Sequence, residues 1–193
     1  MKRRRKRTRA RVLRSRVVYR GRIFRVRRDV VAEPHPDGGR RGAPVVREVV
    51  EHQGSVVVLP VLGDGRVLLV RQYRHATGGF LWELVAGGMD AGETPPHAAR
   101  RELMEETGYA ARRLERLASH FPTPGFLSEV MHLYRATGLR PGRAQPEEDE
   151  ALKVRAFGRQ ELERAMRRGG LRDGKTLLGL LLHWSGRGQR WNR

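Results

Sequence analysis

Glu102, Glu105 and Glu106 fall within five consecutive positions, and their spacing limits what they can do. On a helix Glu102 and Glu106 are i and i+4, and Glu105 is i+3 from Glu102, so the three carboxylates share one face. Ala99 and Leu103 share another face, suited to a core. Like charges at this spacing repel and cost the helix stability unless cations neutralise them. A hard divalent cation with oxygen ligands does this best, and Mg2+ favours a few carboxylates together with substrate phosphates. With the glycine-rich turn Ala86-Gly87-Gly88 ahead of it, the cluster is a candidate two-metal hydrolytic site for a phosphate substrate. The bland alternative is a solvated acidic helix face.

The elements that must position these groups can be read from pattern. Residues 94–107 read as a helix, with Pro95 and Pro96 tolerated in its first turn and Gly108 as its C-terminal stop. Residues 55–62 and 66–73 read as strands joined by Gly63-Asp64-Gly65, a hairpin signal. Residues 80–85 form a short strand ending in Ala86-Gly87-Gly88. Strands follow near 114–121 and 129–136, then a loop over 138–150, a strand at 152–157, and helices at 159–168 and 176–184. Ahead of all these, two β-rich runs flank Gly21, residues 34–44 make a hairpin loop and residues 45–51 a third strand. Strand runs interleaved with a few helices predict a mixed α/β layered fold.

Composition excludes several classes. At 193 residues the chain is one domain, or one with a small lobe. It has no cysteine, which rules out disulfides, Cys-ligated zinc, iron–sulfur clusters and thiol catalysis. No apolar run approaches the ~18 residues of a membrane span, and no apolar segment follows the basic N-terminus as a secretory signal requires. A reducing cytoplasm is the simplest setting. Of 40 basic residues, 15 lie in residues 1–28, ahead of the first carboxylate, Asp29. The remaining chain is nearly balanced. Residues 1–16 therefore read as a basic, disordered arm able to bind polyanions non-specifically. A GC-rich genome is the competing source of so much arginine. The seven histidines are scattered, and no G-x4-G-K-[ST], H-E-x-x-H or G-x-S-x-G is present.

The stretch GGMDAGETPPHAARRELMEETGY, residues 87–109, resembles the Nudix box, G-x5-E-x7-R-E-U-x-E-E-x-G-U, where U is bulky and apolar. Gly87, Glu93, Arg101, Glu102, Glu105, Glu106 and Gly108 meet every fixed position, with Tyr109 a mild variant at the last. Seven residues, each at a background of roughly 5–7%, match by chance on the order of once in 10⁸ windows, which removes the solvated-face alternative. The flanks YRGRIF (19–24), VVREVVEHQGSV (45–56), LLVRQYR (68–74), LWELVAGG (81–88), TPGFLSE (123–129) and EEDE (147–150) are similar to successive segments of the ADP-ribose pyrophosphatase branch.

The resemblance implies a Nudix α/β/α sandwich with a mixed sheet at 54–188, and a small antiparallel β lobe at 17–53 that pairs across a homodimer in relatives. It implies Mg2+, with Mn2+ as a substitute, held by Glu102, Glu106 and the Ala86 carbonyl, with Glu150 as a further ligand. Glu148 is implied as general base, Glu105 as the spare carboxylate, and Arg101 and Glu93 as groups that orient the glutamates. Arg47, Arg74, Thr123, Gly125 and Glu129 match substrate-contacting positions. Three positions depart from the family. Glu-x-Pro-Ala-Gly is here Glu83-Leu84-Val85-Ala86-Gly87. Ser-Pro-Gly-Phe-Ser-Asp-Glu is Thr123-Pro124-Gly125-Phe126-Leu127-Ser128-Glu129. Arg22 and Ile23 stand where some relatives place aromatics against adenine.

The reaction implied is hydrolysis of ADP-ribose, or a related nucleoside diphosphate sugar, to AMP and ribose 5-phosphate. Another nucleotide sugar, RNA 5′ ends, or a non-catalytic ligand-binding module are the alternatives.

Overall fold

The computed structural model describes residues 9–37, 41–142 and 152–186. The chain divides into two compact units, Met1–His52 with Thr123–Glu129, and Gln53–Pro122 with Val130–Arg193.

The first unit is a three-stranded antiparallel sheet of β1 (Arg11–Arg20), β2 (Arg25–Ala32) and β3 (Val45–Glu51), in that order. The turn at 21–24 closes when the Gly21 N–H donates to the Phe24 carbonyl at 2.8 Å. The basic arm expected over 1–16 is corrected from Arg11 onward. Arg11 pairs with Ala32, and the hairpin runs the full length of β2. The run RVLRSRVVYR has charge enough for a solvated tail, but its β-prone pairs Val12-Leu13 and Val17-Val18, with Tyr19, and the tight turn at Gly21 let it zip onto β2. Ion pairs offset the charge on one face, where Arg27 binds Asp29 and Glu51, Arg25 binds Glu51, and Arg47 binds Glu33.

Thr123–Glu129 joins this unit although it is remote in sequence. The Val50 N–H donates to the Phe126 carbonyl at 2.8 Å and the Ser128 N–H to the Val50 carbonyl at 2.9 Å. These two bonds add the loop to the end of β3 as a parallel bridge.

The second unit holds β4 (Ser55–Pro60), β5 (Val67–Arg74), β6 (Gly79–Glu83), β7 (Val85–Gly88), α1 (Pro95–Thr107), β8 (Tyr109–His120), β9 (Met131–Pro141), β10 (Lys153–Phe157), α2 (Arg159–Arg167) and α3 (Gly174–Trp184). β7-β4-β9-β8 form a mixed sheet in which only β4 and β9 run parallel, and β10-β5-β6 form an antiparallel one. β4 is buried on both faces. Val56 and Val58 pack with Ala98, Ala99 and Leu103 of α1, while Val57 and Leu59 pack with Leu162 of α2 and Leu180 of α3. Helices on both sides of a sheet whose central strand is apolar throughout make the α/β/α sandwich.

Three expectations about this unit change. Ala86-Gly87-Gly88 is strand β7, paired with β4 from Val57↔Ala86 to Ser55↔Gly88, and not a turn. β8 begins five residues earlier than its apolar pattern indicates. β9 runs on to Pro141 through a left-handed Gly138, over residues expected in the loop. Among the described residues no helix is long and apolar enough to cross a membrane.

Candidate active site

Helix α1 carries the acidic cluster, and its ends are set locally. Thr94 stands extended at the N-cap with Pro95 at the first helical position. Gly108, at φ 72°, closes the helix by donating its N–H to the Met104 carbonyl. Ala98, Ala99 and Leu103 are fully buried against the sheet and fix the rotation of the helix. That rotation leaves Glu102 and Glu106 on the flank of the buried stripe, only 9% and 5% exposed.

Gly87 determines where the Glu102 carboxylate lies. A Cβ on Gly87 would fall 2.1 Å from the Glu102 Cδ and Oε1 and 2.2 Å from Oε2. The carboxylate therefore occupies the space that any side chain at 87 would fill. It lies directly on the β7 backbone, one residue beyond Ala86. This close approach, and not a turn, is why the position must be glycine.

Arg101 ties the acidic groups together. Its Nη1 donates to Glu102 Oε1 at 2.6 Å and to Glu105 Oε2 at 2.9 Å. Its Nε and Nη2 donate to the two oxygens of Glu93 at 3.1 and 3.0 Å, and Nη2 also reaches the Gly88 carbonyl at 2.9 Å. One planar fork thus spans three glutamates and β7, a geometry that lysine could not supply. The Glu93 hydrogen bonds, foremost, hold the Arg101 guanidinium in its charged form.

Glu93 accepts in addition from the Asp90 N–H and pairs with His97. The Arg101 donors, together with the lesser His97 and Asp90 bonds, outweigh burial and pull its carboxyl from 4.5 down to about 2. A depressed folded-state pKa stabilises above the unfolded value and is lost as pH falls through the folded one. Stability should therefore decline between about pH 5 and pH 2 in part through Glu93. In acid unfolding monitored by circular dichroism, Glu93→Gln should be less stable at pH 7 and lose less across that window. Parallel curves for the two proteins would refute the assignment.

At the end of β5, Arg74 donates Nε and Nη2 to Glu83 at 2.9 and 2.8 Å. Glu83 is buried at the end of β6 and also accepts from Lys175 of α3. Neither Glu83 nor Lys175 stood out as a site residue in the sequence. The available signal was a lone carboxylate inside the apolar run Phe80–Val85.

The remaining candidates lie in the first unit. Arg47 on β3 is bound to Glu33 at 2.8 and 3.0 Å and is half exposed. Thr123 starts a turn in which its carbonyl accepts from the Leu127 N–H, with Gly125 inside that turn. Glu129 is buried, with His52 Nδ1 3.6 Å from its carboxylate. Glu148 and Glu150 lie outside the described residues. Among the described residues no group of three His, Asp or Glu side chains is arranged to hold a metal. The described part offers two flank carboxylates and the β7 carbonyls. This is an all-oxygen set, and the glycine cradle holds one carboxylate on the backbone of β7. A hard divalent cation fits that chemistry.

Comparison with known proteins points to one family. The NUDIX domain family model matches residues 51–177. An ADP-ribose pyrophosphatase from Mycobacterium tuberculosis is 38% identical over 170 residues, 86% of this chain and 79% of that protein. A methanol dehydrogenase activator from Bacillus methanolicus is 32% identical over 165 residues, 84% of this chain and 86% of that one. A solved structure described as an ADP compounds hydrolase superposes with a TM-score of 0.77 at 24% identity, covering 92% of this chain and 93% of that one, a likeness of fold.

Proposed function

Because this chain belongs to the NUDIX family and is a Nudix hydrolase, we propose that it hydrolyses ADP-ribose, or a closely related nucleoside diphosphate sugar, to AMP and ribose 5-phosphate. The observation that supports this reading most directly is Glu102 lying on Gly87 beside Glu106, joined through Arg101 to Glu93 and Glu105. Its substrate class rests on the similarity to an ADP-ribose pyrophosphatase along most of both chains.

Glu102, Glu106 and the Ala86 carbonyl would hold Mg2+, with Glu150 as a further ligand. When bound, such an ion acidifies a coordinated water and offsets charge on the diphosphate. Arg101 keeps Glu102 and Glu105 at fixed distances, and Glu93 keeps Arg101 in place. Arg74 directs a guanidinium at the diphosphate, and arginine forks match phosphate oxygens bidentately. Arg47, Thr123, Gly125 and Glu129 supply the substrate side. Glu148 accepts the proton of the attacking water as its oxygen bonds to phosphorus and the bridging P–O bond breaks.

A product-release assay over ADP-ribose, ADP-glucose, GDP-mannose and 5′-triphosphate RNA tests the reading. ADP-ribose should be cleaved with the highest kcat/KM. Preferential cleavage of GDP-mannose or RNA would replace the substrate, and no cleavage of any would replace the enzyme reading with a ligand-binding one. Glu148→Gln should lower kcat with metal affinity unchanged, because a proton acceptor acts in the transition state. A fully active Glu148→Gln with an inactive Glu150→Gln would transfer the role to Glu150.

A homodimer is proposed through the first hairpin, where Val12, Leu13, Val18, Tyr19 and Ile23 are 47–63% exposed, apolar side chains that a second copy would cover. Light scattering reads the mass directly. The cytoplasm is the proposed compartment, on the absence of cysteine. Polyanion binding is proposed for the segment ahead of β1. Since β1 begins at Arg11, deletion of residues 1–10 removes seven bases without cutting a strand. The shortened chain should hydrolyse ADP-ribose normally and lose most of its salt-sensitive retention on heparin or DNA. Retention that follows the whole surface, as genome composition predicts, would barely change.

A further inference from the structure

Arg74 lies at the end of β5, and its side chain is committed before any substrate arrives. Glu83 takes both Nε and Nη2 in a bidentate pair. Glu83 sits opposite Val70 in the ladder, so its side chain shares the face of Gln72 and Arg74. It is 1% exposed. A guanidinium matched one-to-one with a buried carboxylate has no net charge to offer an incoming diphosphate. Here the match is not one-to-one. Lys175, only 11% exposed at its side chain, reaches from α3 to donate to Glu83 Oε2 and, at 2.9 Å, to Asp173 Oδ1.

Asp173 is not recruited for this site alone. It caps α3, accepting from the Thr176 N–H at 3.0 Å and the Thr176 hydroxyl at 2.6 Å, and the same hydroxyl accepts from the Leu84 N–H at 2.8 Å. That last bond joins α3 to the residue between Glu83 and Val85. The lysine is thereby fixed relative to the strand that leads to Ala86 and Gly87.

Burial alone would push the Glu83 carboxyl up, yet the Arg74 and Lys175 donors hold it below its ordinary value, ionised. The Arg74 guanidinium is held charged by Glu83 first and by the fields of Glu106 and Asp173 in addition. Arg74 is therefore within electrostatic reach of the carboxylate assigned to the metal. Asp173 is met in part by the N-terminus of α3, which it caps, so Arg74 and Lys175 together outweigh Glu83. Without Lys175 that excess is gone beside the place where the reading above puts the diphosphate.

We propose that Lys175 and Glu83 are positioning residues for the diphosphate. Glu83 fixes the plane of Arg74, and Lys175 balances Glu83 so that the positive charge of Arg74 remains available to substrate. The proposal rests on the ADP-ribose reading above.

The test is a double-mutant cycle on the full chain, read as KM and kcat for ADP-ribose and as the affinity for AMP by calorimetry. Lys175→Gln should raise KM about tenfold, the scale expected for an uncompensated charge near the phosphates at an effective dielectric of ~20, with kcat within about twofold. In a Glu83→Gln background the same lysine change should move KM less than twofold, because the charge it balanced is gone. Lys175→Arg should stay within about twofold of the parent. Thermal unfolding of each variant separates loss of fold from loss of affinity. An equal rise in KM in both backgrounds would mean that Lys175 touches substrate itself. An unchanged KM with a lowered Tm would make the cluster merely structural, and either result overturns the proposal. Should Lys175→Gln not fold, the comparison of Lys175→Arg with the double variant decides it. If the parent chain cleaves no nucleoside diphosphate sugar, the functional reading has failed. If it cleaves ADP-ribose and Lys175→Gln keeps the parental KM, only this inference has.

Discussion

Glu106→Gln should lower turnover by more than ~100-fold and leave the chain folded. The size follows from position. Removing a group that merely supports a metal ligand typically costs ~10–100-fold, and Glu106 is assigned as a ligand. The amide keeps the shape of the side chain and one acceptor oxygen but loses the charge. The fold should tolerate this. Glu102 and Glu106 are like charges one helical turn apart, which costs a helix roughly 0.2–0.5 kcal/mol. Removing one relieves that repulsion and forfeits the attraction between Glu106 and Arg74. The two effects oppose each other, so Tm should move by no more than about 2 °C. Differential scanning calorimetry and product release over a Mg2+ titration supply both numbers. A variant with near-parental turnover at moderate Mg2+ would remove Glu106 from the metal assignment.

The parts of this molecule that were legible in the sequence are those governed by local chemistry. The N-terminal prolines and Gly108 bound α1 within a residue of their positions, because capping is settled over four or five residues. The i, i+3, i+4 carboxylates were legible as one face because helix geometry alone puts them there. The N-terminal sheet was legible as three strands from its β-branched runs and the turn at Gly21.

The features that escaped depend on distant partners. Ala86-Gly87-Gly88 has the composition of a turn, and becomes a strand only because β4 offers a free edge and Glu102 needs the space a side chain would take. Residues 11–16 have the charge of a tail, and become strand because β2 is long enough to pair with them. Thr123–Glu129 belongs with β3 through two backbone bonds that no side-chain pattern announces. Glu83 and Lys175 are 92 residues apart, and only the packing of α3 under Leu84 brings them together. The box could thus be found from spacing, whereas the charge balance behind Arg74 could be found only from the fold.

Gly87→Ala should leave the fold nearly untouched and the enzyme nearly inactive. The added methyl would lie 2.1 Å from the Glu102 carboxylate, far inside contact distance. The atoms it strikes are the far end of a flexible side chain and not backbone, so the clash is relieved by swinging Glu102 away. β7 keeps its pairing with β4, since Gly87 is not in the left-handed region and alanine suits a strand there. Stability therefore falls by no more than about 1 kcal/mol, within the ordinary range of a substitution without a cavity or an orphaned buried charge. The site fares differently. A displaced Glu102 leaves its place on β7 and strains its 2.6 Å bond to Arg101. A misplacement of about 1 Å at a reacting centre costs roughly 100-fold, and the methyl demands more than that. We expect kcat/KM for ADP-ribose to drop at least that far, with a higher Mg2+ requirement and a Tm within a few degrees of the parent. Gly88→Ala is the control, because a Cβ on Gly88 meets nothing within 4 Å. It should retain activity within a few-fold. Equal activity in the two variants would show that the Glu102 carboxylate does not need its place on Gly87, and the ligand set built on it would have to be drawn again.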